Sequence, residues 1–201
     1  DVVFAIDVSK SMLAEDIAPS RILKAKQILS RAIDELVNDR VGIIVYAGKA
    51  YAQLPLTTDY TAAKMFLRTI NTDMVPTQGT DIGNAVEMAL SYFETGKEQN
   101  RVLFILSDGE SHEEGALEAS ELASENGILI HAIGLGTLDG GPIPIKRNGV
   151  IKGYKKDNED KVVVTKMDPA MLQQLALSTE GNFIDGMNTK ETIEFIKSSI
   201  G

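Results

Sequence analysis

Apolar positions along the chain fall into two alternating patterns. Continuous runs rich in Val, Ile, Leu and Phe, bounded by turn-forming residues, occur at 1–7, 41–47, 102–107 and 128–134, with a weaker one near 182–185. Runs of this kind predict strands buried on both faces of a parallel sheet. Between them apolar residues recur at i, i+3 and i+4. In 20–37 these are Ile22, Leu23, Ile28, Leu29, Ala32, Ile33 and Leu36, the spacing of a helix with one buried face. Further helical patterns cover 60–70, 81–95, 112–126, 168–178 and 189–200. Start and stop residues mark several of them: Ser20 after Pro19, Ser111 with Glu114 as a capping box, Gly127 as a terminator, Asp168 before Pro169, and Asn188 before Thr189. Strand and helix in alternation predict an α/β fold, a Rossmann-like three-layer sandwich with a mainly parallel central sheet and helices on both faces. Residues 50–54, joined to 41–47 through Ala47-Gly48-Lys49, predict one short antiparallel edge strand.

One segment breaks this rhythm. Residues 137–166 hold Gly140, Gly141, Pro142, Pro144 and Asn148-Gly149, then Lys152, Lys155, Lys156 and Val162-Val163-Val164. Asn-Gly is the strongest short hairpin signal, so this stretch predicts an inserted β-hairpin or small sheet excursion. Its lysines predict a solvated surface face, with docking of an acidic partner as the second reading.

Length and composition narrow the classes. The 201 residues, 43% of them hydrophobic, predict a single domain over 1–201 with a sizeable core. A formal net charge of −9, with no basic stripe to neutralise phosphates, argues against nucleic-acid binding. The absence of cysteine excludes disulfides, thiolate metal sites and cysteine nucleophiles, and two histidines are too few for a histidine-built zinc centre. No apolar run approaches the ~18 residues of a membrane span, and no secretory leader pattern is present. The chain opens directly on a strand pattern and stops inside a helical one, which predicts a domain excised from a longer protein.

The candidate chemistry lies at strand ends. In open α/β sheets, sites form at the carboxyl ends of parallel strands, and two such ends finish in aspartate: Phe4-Ala-Ile-Asp7 and Phe104-Ile-Leu-Ser-Asp108. Two carboxylates on one sheet edge repel unless something neutralises them, and a divalent cation does so directly. The alternation Asp7-Val-Ser9-Lys-Ser11 sends a carboxylate and two hydroxyls to one side of an extended backbone. Pro76-Thr-Gln-Gly79-Thr80-Asp81 precedes a helix and delivers another hydroxyl. Hydroxyl and carboxylate oxygens suit Mg²⁺, Mn²⁺ or Ca²⁺ and do not suit zinc or copper. Thr80 also fits a helix N-cap, with Thr77 as the alternative hydroxyl.

Asp7-x-Ser9-x-Ser11, Gly79-Thr80-Asp81 and Ser107-Asp108-Gly109 resemble the metal-ion-dependent adhesion site of von Willebrand factor type A domains in order, strand placement and spacing. The resemblance implies that Ser9 and Ser11 bind the cation directly, Thr80 directly or through water, and Asp7 and Asp108 often through water. It also implies that an acidic residue of another protein completes the shell, and that Mg²⁺ is the first choice of metal. Met12, Gly79, Asp81, Gly109 and Glu110 would form the rim. Pro142-Ile-Pro-Ile145, Gly153-Tyr154-Lys155-Lys156-Asp157, Val164-Thr165 and Leu172-Gln-Gln-Leu-Ala176 narrow the resemblance to the bacterial aerotolerance (Bat) proteins. That resemblance implies flanking transmembrane helices, a bacterial inner-membrane location with this domain in the periplasm, and partners among other Bat-type proteins or an associated AAA-type ATPase.

Plainer readings compete. Glu110 reads first as a solvated residue near a helix start, His112 as a first-turn residue, and His131 as a core or sheet-face residue. Met12, Met65, Met74 and Met88 read as core fillers, with Met12 and Met74 also able to line the rim. An Mg²⁺-dependent phosphatase using Asp7 as nucleophile is the rival function. Against it, Ser9 stands where such enzymes place a second carboxylate, and no Lys or Arg is evidently placed to hold a transferred phosphoryl group. A receiver-like signalling domain fits less well than the adhesion-site pattern, and neither a P-loop nor a G-x-S-x-G elbow occurs. The reading is therefore a non-enzymatic, metal-dependent binding module.

Overall fold

The computed structural model describes residues 1–93, 99–110 and 115–201. Strand β1 (Val2–Asp7) is followed by a 3-10 turn (Lys10–Leu13), helix α1 (Arg21–Glu35), strands β2 (Val41–Tyr46) and β3 (Ala50–Thr57), helices α2 (Tyr60–Thr69) and α3 (Ile82–Tyr92), and strand β4 (Arg101–Ser107). The second half runs through α4 (Ala116–Glu125), β5 (Ile128–Gly134), β6 (Gly141–Pro142), β7 (Pro144–Arg147), β8 (Val150–Tyr154), β9 (Val164–Thr165), α5 (Pro169–Leu177), β10 (Phe183–Asp185) and α6 (Thr189–Ile200). The main sheet has six strands in the order β10-β5-β4-β1-β2-β3. All its pairings are parallel except that of β3 with β2, so the expected mixed architecture is present. The edge strand is longer than the 50–54 pattern suggested, carries the exposed Pro55, and bulges twice against β2.

Strand alternation sorts the core into two layers. Val2, Phe4 and Ile6 face one cluster with Val102, Phe104 and Leu106, covered by Ile28, Leu29 and Ile33 of α1 and Ile196 of α6. Val3 and Ala5 face the other with Leu103 and Ile105, covered by Ala85, Val86 and Ala89 of α3 and Ala123 of α4. An aromatic ladder runs through the first layer: Phe4 stacks on Phe104 at 5.3 Å, and Phe104 on His131 at 5.3 Å, with Phe195 edge-on to both. His131 is thus a core residue, its Nδ1 accepting from Asn182 N at 3.1 Å. Burial holds its imidazole below the ordinary value, toward the neutral form.

Several expectations change. Among the described residues helix α4 begins at Ala116, behind Gly115, whose φ of 103° lies outside helical space. The expected capping box of Ser111 with Glu114, and His112, lie outside the described residues. Gly127 does terminate α4, with a φ of 68°. The 137–166 excursion consists of two small sheets: the β7/β8 hairpin turns through Asn148 and Gly149 at φ 52° and 77°, the pair of positive dihedrals a two-residue hairpin asks for, and β6 pairs with β9. Its surface is less polar than its lysines suggested, because Ile145, Val150, Ile151, Tyr154, Val162 and Val164 are all exposed. Met65 is exposed as well, not a core filler, whereas Met12 is fully buried and lines no rim.

Phe104 sits at the centre of the ladder with no solvent exposure. Phe104→Ala should cost about 3–5 kcal/mol in urea denaturation, whereas Leu177→Ala, at a residue 71% exposed, should stay within about 0.5 kcal/mol.

Candidate metal centre

The sheet order places β1 between β4 and β2, so the chain leaves β1 toward one side and later returns on the other. A crevice opens at the carboxyl ends of the strands at such a switch point. Asp7 ends β1 and Asp108 follows Ser107, the last residue of β4. Both carboxylates are fully buried.

Alternation along the strands decides which neighbours each one meets. Asp7 continues the Val3, Ala5 face, which Ser107 and Tyr46 also share, and Asp7 is paired in register with Tyr46. Accordingly Ser107 Oγ donates to Asp7 Oδ2 at 2.7 Å, while Ser9 N donates to Asp7 Oδ1 at 2.9 Å. Asp108 continues the opposite face, on which α1 packs. There Arg21 Nη1 donates to Asp108 Oδ2 at 2.9 Å and Ser11 Oγ to the same oxygen at 2.6 Å, while Glu110 N donates to Oδ1 at 3.0 Å. The two serine hydroxyls lie 3.0 Å apart. Asp7, Ser9, Ser11 and Asp108 therefore form one cluster. The 3-10 turn at Lys10–Leu13 folds the chain after Ser9 and brings Ser11 over Asp108.

Thr80 reaches the same edge from another element. Its loop is pinned across the end of β2, where Gly48 N donates to Thr77 O at 3.0 Å and Asp81 N to Ala47 O at 2.7 Å. Thr80 itself is buried, whereas Thr77, the alternative hydroxyl, is exposed. The capping role that Thr80 could also have filled belongs to Asp81, whose Oδ1 accepts from Asn84 N at 2.9 Å to cap α3. Gly79 and Gly109 adopt φ of 106° and 77° at the turns flanking the cluster. Glu110 is not a solvated residue: its Oε1 accepts from Lys166 N at 3.0 Å and its other oxygen from the Thr165 hydroxyl.

The electrostatics explain the chemistry this cluster can support. Burial, then the neighbouring Asp108 charge, pushes the Asp7 carboxyl up to about 7 despite its hydrogen bonds. Burial also raises Asp108, opposed by Ser11 and by the Arg21 guanidinium. Arg21 is the residue that the sequence reading missed. It is fully buried and forks onto Asp16, with Nε to Oδ1 and Nη2 to Oδ2 both at 2.8 Å. Burial alone would lower its pKa, yet Asp16 and Asp108 raise it; likewise the hydrogen bonds from Arg21 and Thr137 overcome burial and hold Asp16 low. With all four groups ionised, Asp7, Asp16, Asp108 and Arg21 carry a formal charge of −2 at a site from which water is largely removed. Among the described residues no three His, Cys, Asp or Glu side chains converge as a metal cluster. A cation here would therefore rest on two carboxylates and neighbouring hydroxyls, a hard-oxygen donor set whose formal charge a divalent ion matches.

Comparisons with known proteins agree with this fold. The family profile of the von Willebrand factor type A domain matches residues 2–110. The structure of BatB, a conserved hypothetical protein from Bacteroides thetaiotaomicron, is 42% identical, with a TM-score of 0.94 over 99% of this chain and 96% of that one. An aerotolerance-related membrane protein from Bacteroides fragilis, bearing multiple mutations to serine, is 41% identical with the same TM-score, over 99% of this chain and 97% of that one. Proximal thread matrix protein 1 from the mussel byssus, solved with a zinc-occupied MIDAS motif, shares the fold at 19% identity and a TM-score of 0.71, covering 100% of this chain and 45% of that one. The chain spans about half the length of the curated relatives it matches. The chain belongs to the von Willebrand factor type A domain family, and is similar over nearly its whole length to the aerotolerance-related and BatB proteins of Bacteroides.

Proposed function

We propose that this domain is a non-enzymatic binding module that works through a divalent cation, Mg²⁺ in the first instance, held by Asp7, Ser9, Ser11, Thr80 and Asp108, with a carboxylate of a partner protein completing the shell. The observation that carries the reading is the burial of Asp7 and Asp108 at neighbouring strand ends beside two hydroxyls 3.0 Å apart. Such a pair is costly without a cation and is matched by one. When bound, the cation supplies an electrophilic position for an acidic ligand.

A surface for that ligand's protein lies alongside. A groove of about 640 Å³ beside the 3-10 turn is floored by Leu13, Ile22 and Ile143 and edged by Lys10, Lys146 and Lys155. Lys10 pairs with Asp73 and Lys146 with Glu15, so the groove offers a partner mainly its apolar floor. The phosphatase alternative is disfavoured because Arg21 is committed to carboxylates and is not free to hold a phosphoryl group. By likeness to the Bacteroides proteins, the natural setting is a membrane-anchored Bat-type protein with this single domain in the periplasm. Its partners would be other Bat-type proteins or an AAA-type ATPase. No helix among the described residues is long and apolar enough to cross a membrane, so transmembrane helices would lie in flanking segments.

Calorimetric titration of Mg²⁺ and Mn²⁺ into the wild-type domain should show one site, abolished in Asp7→Ala. Metal-dependent turnover of p-nitrophenyl phosphate that disappears in Asp7→Ala would overturn the binding reading in favour of a hydrolase.

Protons compete for the same site. Because the folded pKa of Asp7, about 7, lies above the ordinary carboxylate value of about 4, the metal-free folded state holds more protons than the unfolded one between those pH values. Its stability contribution is therefore greatest at low pH and is lost as pH rises from about 4 to about 7. Cation binding displaces that proton. Mg²⁺ affinity should be about tenfold weaker at pH 6 than at pH 8, levelling above pH 7; a flat profile by calorimetry would contradict this.

A further inference from the structure

Arg21 is the first residue of α1, and a cation there opposes the helix dipole. Its burial is sustained by acceptors that take all five N–H donors of the guanidinium. Beyond Asp16 and Asp108, Nη1 donates to Thr165 Oγ1 at 3.0 Å and Nη2 to Thr165 O at 2.9 Å. Thr165 belongs to β9, the returning strand of the inserted excursion.

The start of that excursion closes on the same ion pair. Thr137 N and Oγ1 donate to Asp16 Oδ2 at 2.8 and 3.1 Å, and a Cβ at Gly136 would fall 2.8 Å from Arg21 Nε. The segment after β9 then clamps the Asp108 turn. Lys166 N donates to Glu110 Oε1 at 3.0 Å, Asp168 N donates to Asp108 O at 2.7 Å, and a Cβ at Gly109 would fall 2.4 Å from Asp168 O.

We propose that Arg21 is a positioning residue for the metal site, and that through Thr165 it makes cation affinity depend on the seating of the 137–166 insertion. The inference rests on the metal reading above. Asp108 Oδ2 has two side-chain donors, Ser11 and Arg21, so the guanidinium fixes how that carboxylate faces the site. Lifting Thr165 away leaves buried guanidinium donors unpaired, which is costly, and the fork relaxes by turning, taking Asp108 with it. Coupling of this kind is reciprocal: a seated insertion that raises cation affinity by some factor is itself stabilised by the cation by the same factor. The insertion, with its exposed Ile145, Val150, Ile151 and Tyr154, thereby becomes a second surface that registers the state of the first.

The test pairs two measurements. Mn²⁺ affinity is measured by calorimetry for wild type, Thr165→Val and Thr165→Ser, with circular dichroism confirming the fold of each. Thr165→Val should weaken binding at least about fivefold, and Thr165→Ser, which keeps the hydroxyl, should restore it. In wild type, saturating Mg²⁺ should slow hydrogen exchange at the Lys166 and Asp168 amides. Folded Thr165→Val with wild-type affinity overturns the inference while leaving the metal reading intact. If that variant does not fold, the wild-type exchange measurement decides, and unchanged exchange at both amides overturns the inference. A wild-type domain that binds no Mn²⁺ removes the metal reading and this inference together.

Discussion

The structure is organised around two buried carboxylates on one edge of a sheet. Parallel pairing of β1 with β4 brings the ends of those strands together, and neither Asp7 nor Asp108 retains contact with solvent. Ionised carboxylates in such a place need donors and positive charge. The surroundings supply them asymmetrically: Asp7 receives a backbone amide and the Ser107 hydroxyl, and Asp108 receives a guanidinium and the Ser11 hydroxyl. Because Asp16 occupies the fork of Arg21, the guanidinium cannot discharge both. What is left over is a deficit of positive charge beside oxygen donors, which the proposed cation would fill.

Much of this was legible in the chain. Continuous apolar runs mark the strands, and the aspartates that end two of them point to the candidate site, because strand ends of an α/β sheet converge by topology. Asn148-Gly149 announced its hairpin through the backbone dihedrals that only a few residues tolerate. The spacing of Asp7, Ser9 and Ser11 was readable for the same local reason: side chains two apart on extended backbone share a face.

What escaped the reading depends on contacts distant in sequence. Thr165 lies 144 positions from Arg21, and no local pattern links them. Arg21 itself leaves a local trace in the sequence. It falls on the helical face of Ala25, Ile28 and Ala32, all buried, and a cation heading an apolar stripe at a helix N-terminus is a mismatch that demands a partner. Thr80 fits a cap as well as a ligand on sequence, and Asp81 provides that cap, because Thr-Asp offers two adjacent capping side chains and sequence alone does not choose between them. Met12, next to the candidate ligands in sequence, fits both core and rim on sequence alone, and the 3-10 turn settles it by burying the side chain.

The outer strand of the sheet has a consequence for how this domain can be recognised. Pro55 removes an amide from β3, and β10 at the opposite edge is only three residues long. Both flanks are poor templates for another strand, so neither strand addition by a peptide nor edge-to-edge polymerisation has a good point of entry. Copies crowded side by side would remain separate units, and adhesion would occur through chosen side chains, not through shared backbone.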